Sequence, residues 1–175
     1  MVPKSAVSAV GSQPSRSDLN HGVTAVPSAN STKVVKSFFD AYREHDVERM
    51  VDLCDDTAGY RSVPFELWRK QRVIRGDGKV STIGKILWTG LIESFPDLTN
   101  EVTKIIPGND GLVAAEVVIS GTQARDWGSI RSRGRSFRSP HLFVFRVNDR
   151  GKIDNITSYS DNASVRTQLG CVEID

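Results

Sequence analysis

The sequence predicts an α+β fold, with helices in the first half of the chain and an antiparallel meander in the second. Three observations carry this. Helical spacing of apolar residues is confined to residues 32–94, alternating patterns dominate residues 101–161, and Gly/Asn/Asp-rich turns punctuate that second stretch. Segregating helices from strands argues for α+β rather than for a parallel α/β sheet. At 175 residues the chain is one domain, and a chain near this size hides roughly 68–70% of its unfolded surface, so it can bury a core. Two cysteines cannot build a disulfide scaffold or a four-ligand zinc site.

Residues 1–31 are rich in Ser, Ala, Val, Gly and Pro and show neither period. Too few apolar side chains are present to offset the entropy of ordering, and the stretch is expected to be a flexible arm rather than a cleaved signal. The domain is therefore expected to span residues 32–175. From Thr32, Val34, Val35, Phe38, Phe39 and Tyr42 recur at helical spacing, giving a first amphipathic helix that ends near His45. Asp46 is placed to cap a second helix, with Val47, Met50, Val51 and Cys54 on its apolar face. A short strand is expected over 58–65. A basic connection (66–78) holding Trp68, Arg69, Lys70, Arg72 and Arg75 leads to a third helix from about Lys79 to Ser94, stopped by Pro96.

Strands follow at 101–106, 112–123, 137–147 and 153–161. They are joined by the turns PGNDG (107–111) and NDRG (148–151) and by the Gly/Ser/Arg-rich loop 124–136. Gly and Asn are expected to supply the positive φ of the first turn. A short helix over 163–169 closes the chain. On the 137–147 strand, His141, Phe143, Phe145 and Val147 share one face, and Leu142, Val144 and Arg146 share the other. With apolar residues on both faces, helices can cover only one, which predicts a homodimer through the outer face, where Glu116 and Arg146 are expected to pair. Ile153, Asn155, Thr157, Tyr159 and Asp161 would share a face of the last strand.

From about Thr32 to Gly170, about four fifths of the chain resembles the SnoaL-like polyketide cyclases of the nuclear-transport-factor-2-like superfamily. The resemblance rests on FFDAYREHDVERMVDL in the first two helices, FPDL (95–98), GT (121–122), FRVNDRGKI (145–153) and Asp161 ahead of QLG (168–170). It implies a cone, a curved antiparallel sheet wrapped around three N-terminal helices in the manner of a cystatin-like α+β barrel, with a pocket inside. It also implies dimers through the outer sheet face, a small hydrophobic carbonyl-containing ligand, no metal and no cofactor.

In that family an Asp at the position of Asp161 acts as acid/base in an aldol closure. Desolvation in an apolar pocket would raise its pKa toward neutrality. The same residue can instead cap the closing helix, and both readings stand. Gln123 occupies the place of a His found in many members. An amide cannot shuttle protons but can orient a carbonyl, which leaves His141 as the second proton-transferring group. His141 has its own alternative as a histidine satisfied by backbone. Tyr60 and Tyr159 are candidate donors to a substrate carbonyl, and Phe143 and Trp127 candidate walls. Trp88 is expected in the core, and Cys54 is expected to be inert.

The formal charge of +2, from 23 Lys and Arg against 21 Asp and Glu, is too near neutral for generic nucleic-acid binding. No apolar run approaches the ~20 residues of a bilayer span, and a cytoplasmic location is expected. Arg125, Arg131, Arg133, Arg135 and Arg138 cluster about a single acid, Asp126, as a solvated surface or as a rim that guides an anionic substrate or a carrier-bound phosphopantetheine chain. Two functions remain: a cofactor-free cyclase or isomerase, and a non-catalytic dimeric binding module of the same fold. The enzyme is expected to open a pocket of roughly 300 Å³ or more with Asp161 inside it. The module is expected to fill that space with Phe143, Phe145, Trp88 and Ile119.

Overall fold

The computed structural model describes residues 28–64 and 76–171. Most of the expected arm, and the basic connection with Trp68, Arg69, Lys70, Arg72 and Arg75, lie outside the described residues. Helix α1 (Ser28–Arg43) begins four residues ahead of the expected Thr32, and Ser31 in its first turn is fully buried. The chain reverses at His45, which has a positive φ, and the Asp46 carboxylate accepts from Arg49 N at 2.9 Å to start α2 (Val47–Asp52).

Strand β1 (Cys54–Pro64) starts earlier than expected and takes Cys54 out of the helix. A short strand β2 (Asp77–Lys79) and one π-helical turn (Val80–Gly84) precede α3 (Lys85–Ser94), so the third helix is divided where a continuous one was expected. The rest follows the expected order: β3 (Thr99–Pro107), β4 (Leu112–Thr122), β5 (Ser136–Val147), β6 (Ile153–Ser160) and α4 (Asn162–Gln168).

The six strands form one curved, unclosed sheet in the order β2-β1-β6-β5-β4-β3. It is not wholly antiparallel, since β1 and β6 run parallel, Tyr60 beside Ile156 and Ser62 beside Ser158. Strands β4 and β5 keep the expected alternation. Val113, Ala115, Val117 and Ile119 face inward beside Phe145, Phe143, His141 and Ser139. The α1 face meets them there: Phe38 packs edge-on to Phe145 at 5.3 Å and to Trp88 at 5.4 Å, and Phe39 packs on Phe143 at 5.3 Å.

Strand β6 departs from simple alternation. Arg146 pairs with Asn155 but Val147 pairs with Ile153, so Asp154 is an extra residue that shifts the phase by one. Ile156, Ser158 and Ser160 consequently face inward, and Tyr159 lies beside Leu142 on the outer face. The bulged Asp154 takes the Arg146 guanidinium at 2.7 Å, while Glu116 sits opposite Leu142, so the expected Glu116–Arg146 pair does not form.

Two of the resemblance motifs meet at the end of β4. Asp97 of FPDL accepts from Thr122 N at 2.6 Å, and these hydrogen bonds hold its carboxyl below the usual range. A Cβ on Gly121 would lie 3.1 Å from Phe95 Cβ, which is why a glycine permits the close approach. In the 107–111 turn the positive φ values belong to Asp110 and Gly111 rather than to Asn109. A Cβ on Gly111 would lie 2.0 Å from the Val147 carbonyl oxygen. Gly111→Ala is therefore expected to destabilise by about 1–3 kcal/mol, combining left-handed backbone strain with displacement of β5; urea denaturation measures it.

Candidate active site

The inner face of the sheet sets out the site by register. Phe143, Ser158 and Ser62 lie side by side in one row, with His141 and Ser160 in the next. Tyr60 sits one row deeper, its hydroxyl 3.2 Å from Ser158 Oγ and its ring 5.2 Å from Trp88. Tyr42 of α1, Leu87, Trp88 and Leu91 of α3, Trp127 and Ile130 of the long loop, and Asn162 and Arg166 of α4 complete the wall. The cavity holds about 110 Å³. That is below the roughly 300 Å³ at the lower end of ligand pockets. Phe38, Phe39, Phe145 and Trp88 fill the depth of the sheet's concavity, leaving the space at its upper end.

Four expected site residues meet at this cavity: His141, Tyr60, Phe143 and Trp127. Three do not line it. Tyr159 is on the outer face because of the β6 bulge. Gln123 is buried behind the wall, where its Nε2 donates to Ile130 O at 3.0 Å, its backbone N–H to Arg135 O, and its carbonyl accepts from Ser132 Oγ. Gln123 is thus the peg that shapes the 124–135 loop. Asp161 turns its carboxylate to Ser164 N at 3.0 Å and caps α4, the alternative role recognised in the sequence.

Sequence reasoning missed Tyr42, Ser62, Ser158, Ser160, Asn162 and Arg166. Tyr42 was signalled by its place four residues after Phe38 on the same helical face. Ser158 and Ser160 could be found only once the bulge had set the phase of β6.

Three titratable groups give the cavity its chemistry. His141 Nδ1 lies 3.0 Å from Ser139 O. A carbonyl only accepts, so Nδ1 carries the hydrogen and Nε2 keeps a lone pair. Burial pushes the imidazole pKa down, partly opposed by the bond to Ser139, and the ring is neutral at pH 7. Burial pushes the Tyr60 phenol up, against its hydrogen bonds to Ser158 and Ser62. Burial, and then the neighbouring Tyr60, raise Tyr42 well above the ordinary phenol range. Both phenols therefore remain protonated donors. Among the described residues no Asp or Glu lines the cavity, and no group of three or more His, Cys, Asp and Glu side chains is placed to hold a metal ion. The Cys54 thiol is buried and donates to Met50 O at 3.4 Å, and burial pushes it up to about 12.

The SnoaL-like domain family matches residues 35–156, more than half of the chain. No curated protein sequence matches. Several solved structures share the fold. AclR of Streptomyces galilaeus, a candidate hydroxylase, is 16% identical, with 85% of this chain and 89% of that one covered and a TM-score of 0.69. IdmH of Streptomyces antibioticus, a candidate polyketide cyclase, is 25% identical over 80% of this chain and 98% of its own, with a TM-score of 0.61. SalBIII, an epoxide hydrolase/cyclase-like enzyme of pyran ring formation in salinomycin, is 18% identical over 78% and 94%, with a TM-score of 0.59.

The capping geometry predicts how Asp161 responds to substitution. Asp161→Ala should cost about 0.5–2 kcal/mol, whereas Asp161→Asn, whose amide oxygen caps nearly as well, should cost much less. Thermal or urea unfolding of the two variants reads the difference.

Proposed function

This chain belongs to the SnoaL-like domain family, and we propose on that premise that its cavity binds a small carbonyl-containing, polyketide-like molecule and catalyses a cofactor-free cyclisation or isomerisation. The observation that carries this reading is a neutral imidazole with a bare Nε2 in the same apolar cavity as two phenols held protonated. Such a set matches proton removal from carbon next to a carbonyl. His141 Nε2 takes the proton, and Tyr60, backed by Ser158, donates a hydrogen bond to the developing enolate oxygen. Asp161, which matches the aspartate of the resembled cyclases, is not among the described residues that line the cavity, so in this reading His141 is the base and Asp161 keeps its capping task.

The fold by itself does not select the reaction, since its relatives carry names from hydroxylase to cyclase. The small cavity and the aromatic filling beneath it support a second reading, a binding module without turnover. In either reading we propose a homodimer through the outer sheet face, where Ile106, Leu112 and Leu142 are exposed. No described helix is long and apolar enough to cross a membrane. A cytoplasmic location, also proposed, fits Cys54 and Cys171 as free cysteines.

Turnover of aryl ketone and polyketide-like substrates separates the readings. With a base at His141, His141→Gln should lower kcat by about 10²–10⁴-fold with KM little changed. The sign of the pH effect follows from the depressed pKa. The base loses its lone pair only on acidification, so kcat/KM should hold through about pH 6.5 and fall below it. Binding without turnover by the wild type would favour the module. For the dimer, sedimentation should give twice 19.3 kDa, and Leu142→Glu should return the monomer mass at micromolar concentration.

A further inference from the structure

The hydroxyl groups of the cavity are not equivalent. Tyr60 Oη lies 3.2 Å from Ser158 Oγ, and Ser160 Oγ donates to Asn162 Oδ1 at 3.1 Å. Tyr42 differs from both. It stands in the last turn of α1, lines the cavity and is only 3% exposed. Yet among the described residues no hydrogen bond reaches its hydroxyl, and the phenol answers only to burial and to the neighbouring Tyr60.

Interiors leave few polar groups without a partner, because an unmade hydrogen bond forfeits what water would have supplied. Ser31 Oγ and Gln123 Oε1 are also without partners, but both are sealed in the interior and neither residue lines the cavity. The Tyr42 oxygen is not one of these sealed atoms, so its partner has to come from the cavity. At about 110 Å³ the space admits water, which needs roughly 10–15 Å³. Water serves the hydroxyl until a ligand displaces it.

A replacement has to accept a hydrogen bond. Burial keeps the phenol protonated, so Tyr42 offers one O–H donor beside the apolar surfaces of Leu87, Trp88, Leu91 and Phe143. In such surroundings a matched acceptor gains more than it would in water, and a hydrocarbon at the same place leaves the donor bare. Tyr60 reaches a ligand only by sharing or reversing its bond with Ser158, whereas Tyr42 has no bond within the described protein to give up.

We propose that Tyr42 is a ligand-binding residue whose O–H donates to the carbonyl oxygen of the molecule held in this cavity, and that it selects a ketone over a hydrocarbon of the same shape. This rests on the reading of the cavity as a small-molecule site and adds to it a second oxygen-binding residue beside Tyr60.

The test is ligand-observed NMR titration of the full chain with acetophenone and with α-methylstyrene, in which C=CH₂ replaces C=O. Tyr42→Phe removes only the hydroxyl. It should lower the preference for the ketone about 3–10-fold, weakening acetophenone while leaving the hydrocarbon equal or tighter. In infrared difference spectra the carbonyl stretch of bound, isotopically labelled acetophenone should lie lower in the wild type than in Tyr42→Phe, a signature of the lost donor rather than of altered packing. Tyr159→Phe, on the outer face, should match the wild type in both measurements.

Tyr42→Phe should also melt with the wild type. A large loss of stability would give the hydroxyl a partner inside the protein and overturn the proposal. An unchanged preference and an unshifted carbonyl stretch in Tyr42→Phe, with acetophenone still bound, would overturn it too and leave the small-molecule cavity standing. Absence of binding by both probes to the wild type would overturn the cavity reading, and the role of Tyr42 with it.

Discussion

Phe38 and Phe39 are neighbours on α1, and both reach the inner face of β5, packing on Phe145 at 5.3 and 5.6 Å. Phe39 also meets Phe143, on which the His141 ring stacks at 6.0 Å. The proton-transferring candidate is thus seated on the aromatic layer that joins helix to sheet. Burial of these rings sets the distance between α1 and the sheet, hence where the filled interior ends and the cavity begins. A core change at Phe39 would reach the site through Phe143, with no contact between α1's phenylalanines and any ligand required.

Much of this was legible in the sequence wherever a simple period held. The 3.6 period of α1 and the period of two on β4 and β5 placed Phe38, Phe39, Ile119, His141, Phe143 and Phe145 on their faces. The Asp46 and Asp161 caps were legible because short carboxylates before helical runs have a local reason to be there. What failed depended on contacts distant in sequence. The bulge at Asp154 answers to Arg146 on the preceding strand, and one extra residue moved Tyr159 outward and Ser158 and Ser160 inward. The parallel partner of β1 and the π-turn before α3 leave no periodic trace either. Of the expected site, His141 and Phe143 on the undisturbed β5 reached the cavity, Tyr159 and Asp161, read through the bulge, did not, and Gln123, just past the end of β4, turned behind the wall to hold the long loop.

The cavity's electrostatics follow from the same displacement. With the Asp161 carboxylate turned to a helix cap, the described residues of the wall bring phenols, hydroxyls, an amide, an imidazole and a guanidinium. In such surroundings desolvation moves both acids and bases toward their neutral forms, so proton exchange rests on hydrogen-bond direction rather than on net charge. The Ser139 carbonyl, by claiming Nδ1–H, gives the imidazole its polarity. Ser139 is itself fully buried between β4 and the core, which makes that orientation a property of the sheet rather than of a mobile loop.

The parallel pairing of β1 with β6 has a further consequence for how the chain reaches this state. Gly59 aligns with Asn155 and Ser62 with Ser158, so the strand made soon after the first helices finds its long partner only among the last residues of the domain. Loop closure over that separation is slow compared with forming the β3–β4–β5–β6 meander, whose turns are short. During synthesis β1 would wait with Tyr60 uncovered until β6 leaves the ribosome. The nascent domain passes through a stage in which its helices and first strand exist without the surface that completes them, and that stage is the one most exposed to misassociation.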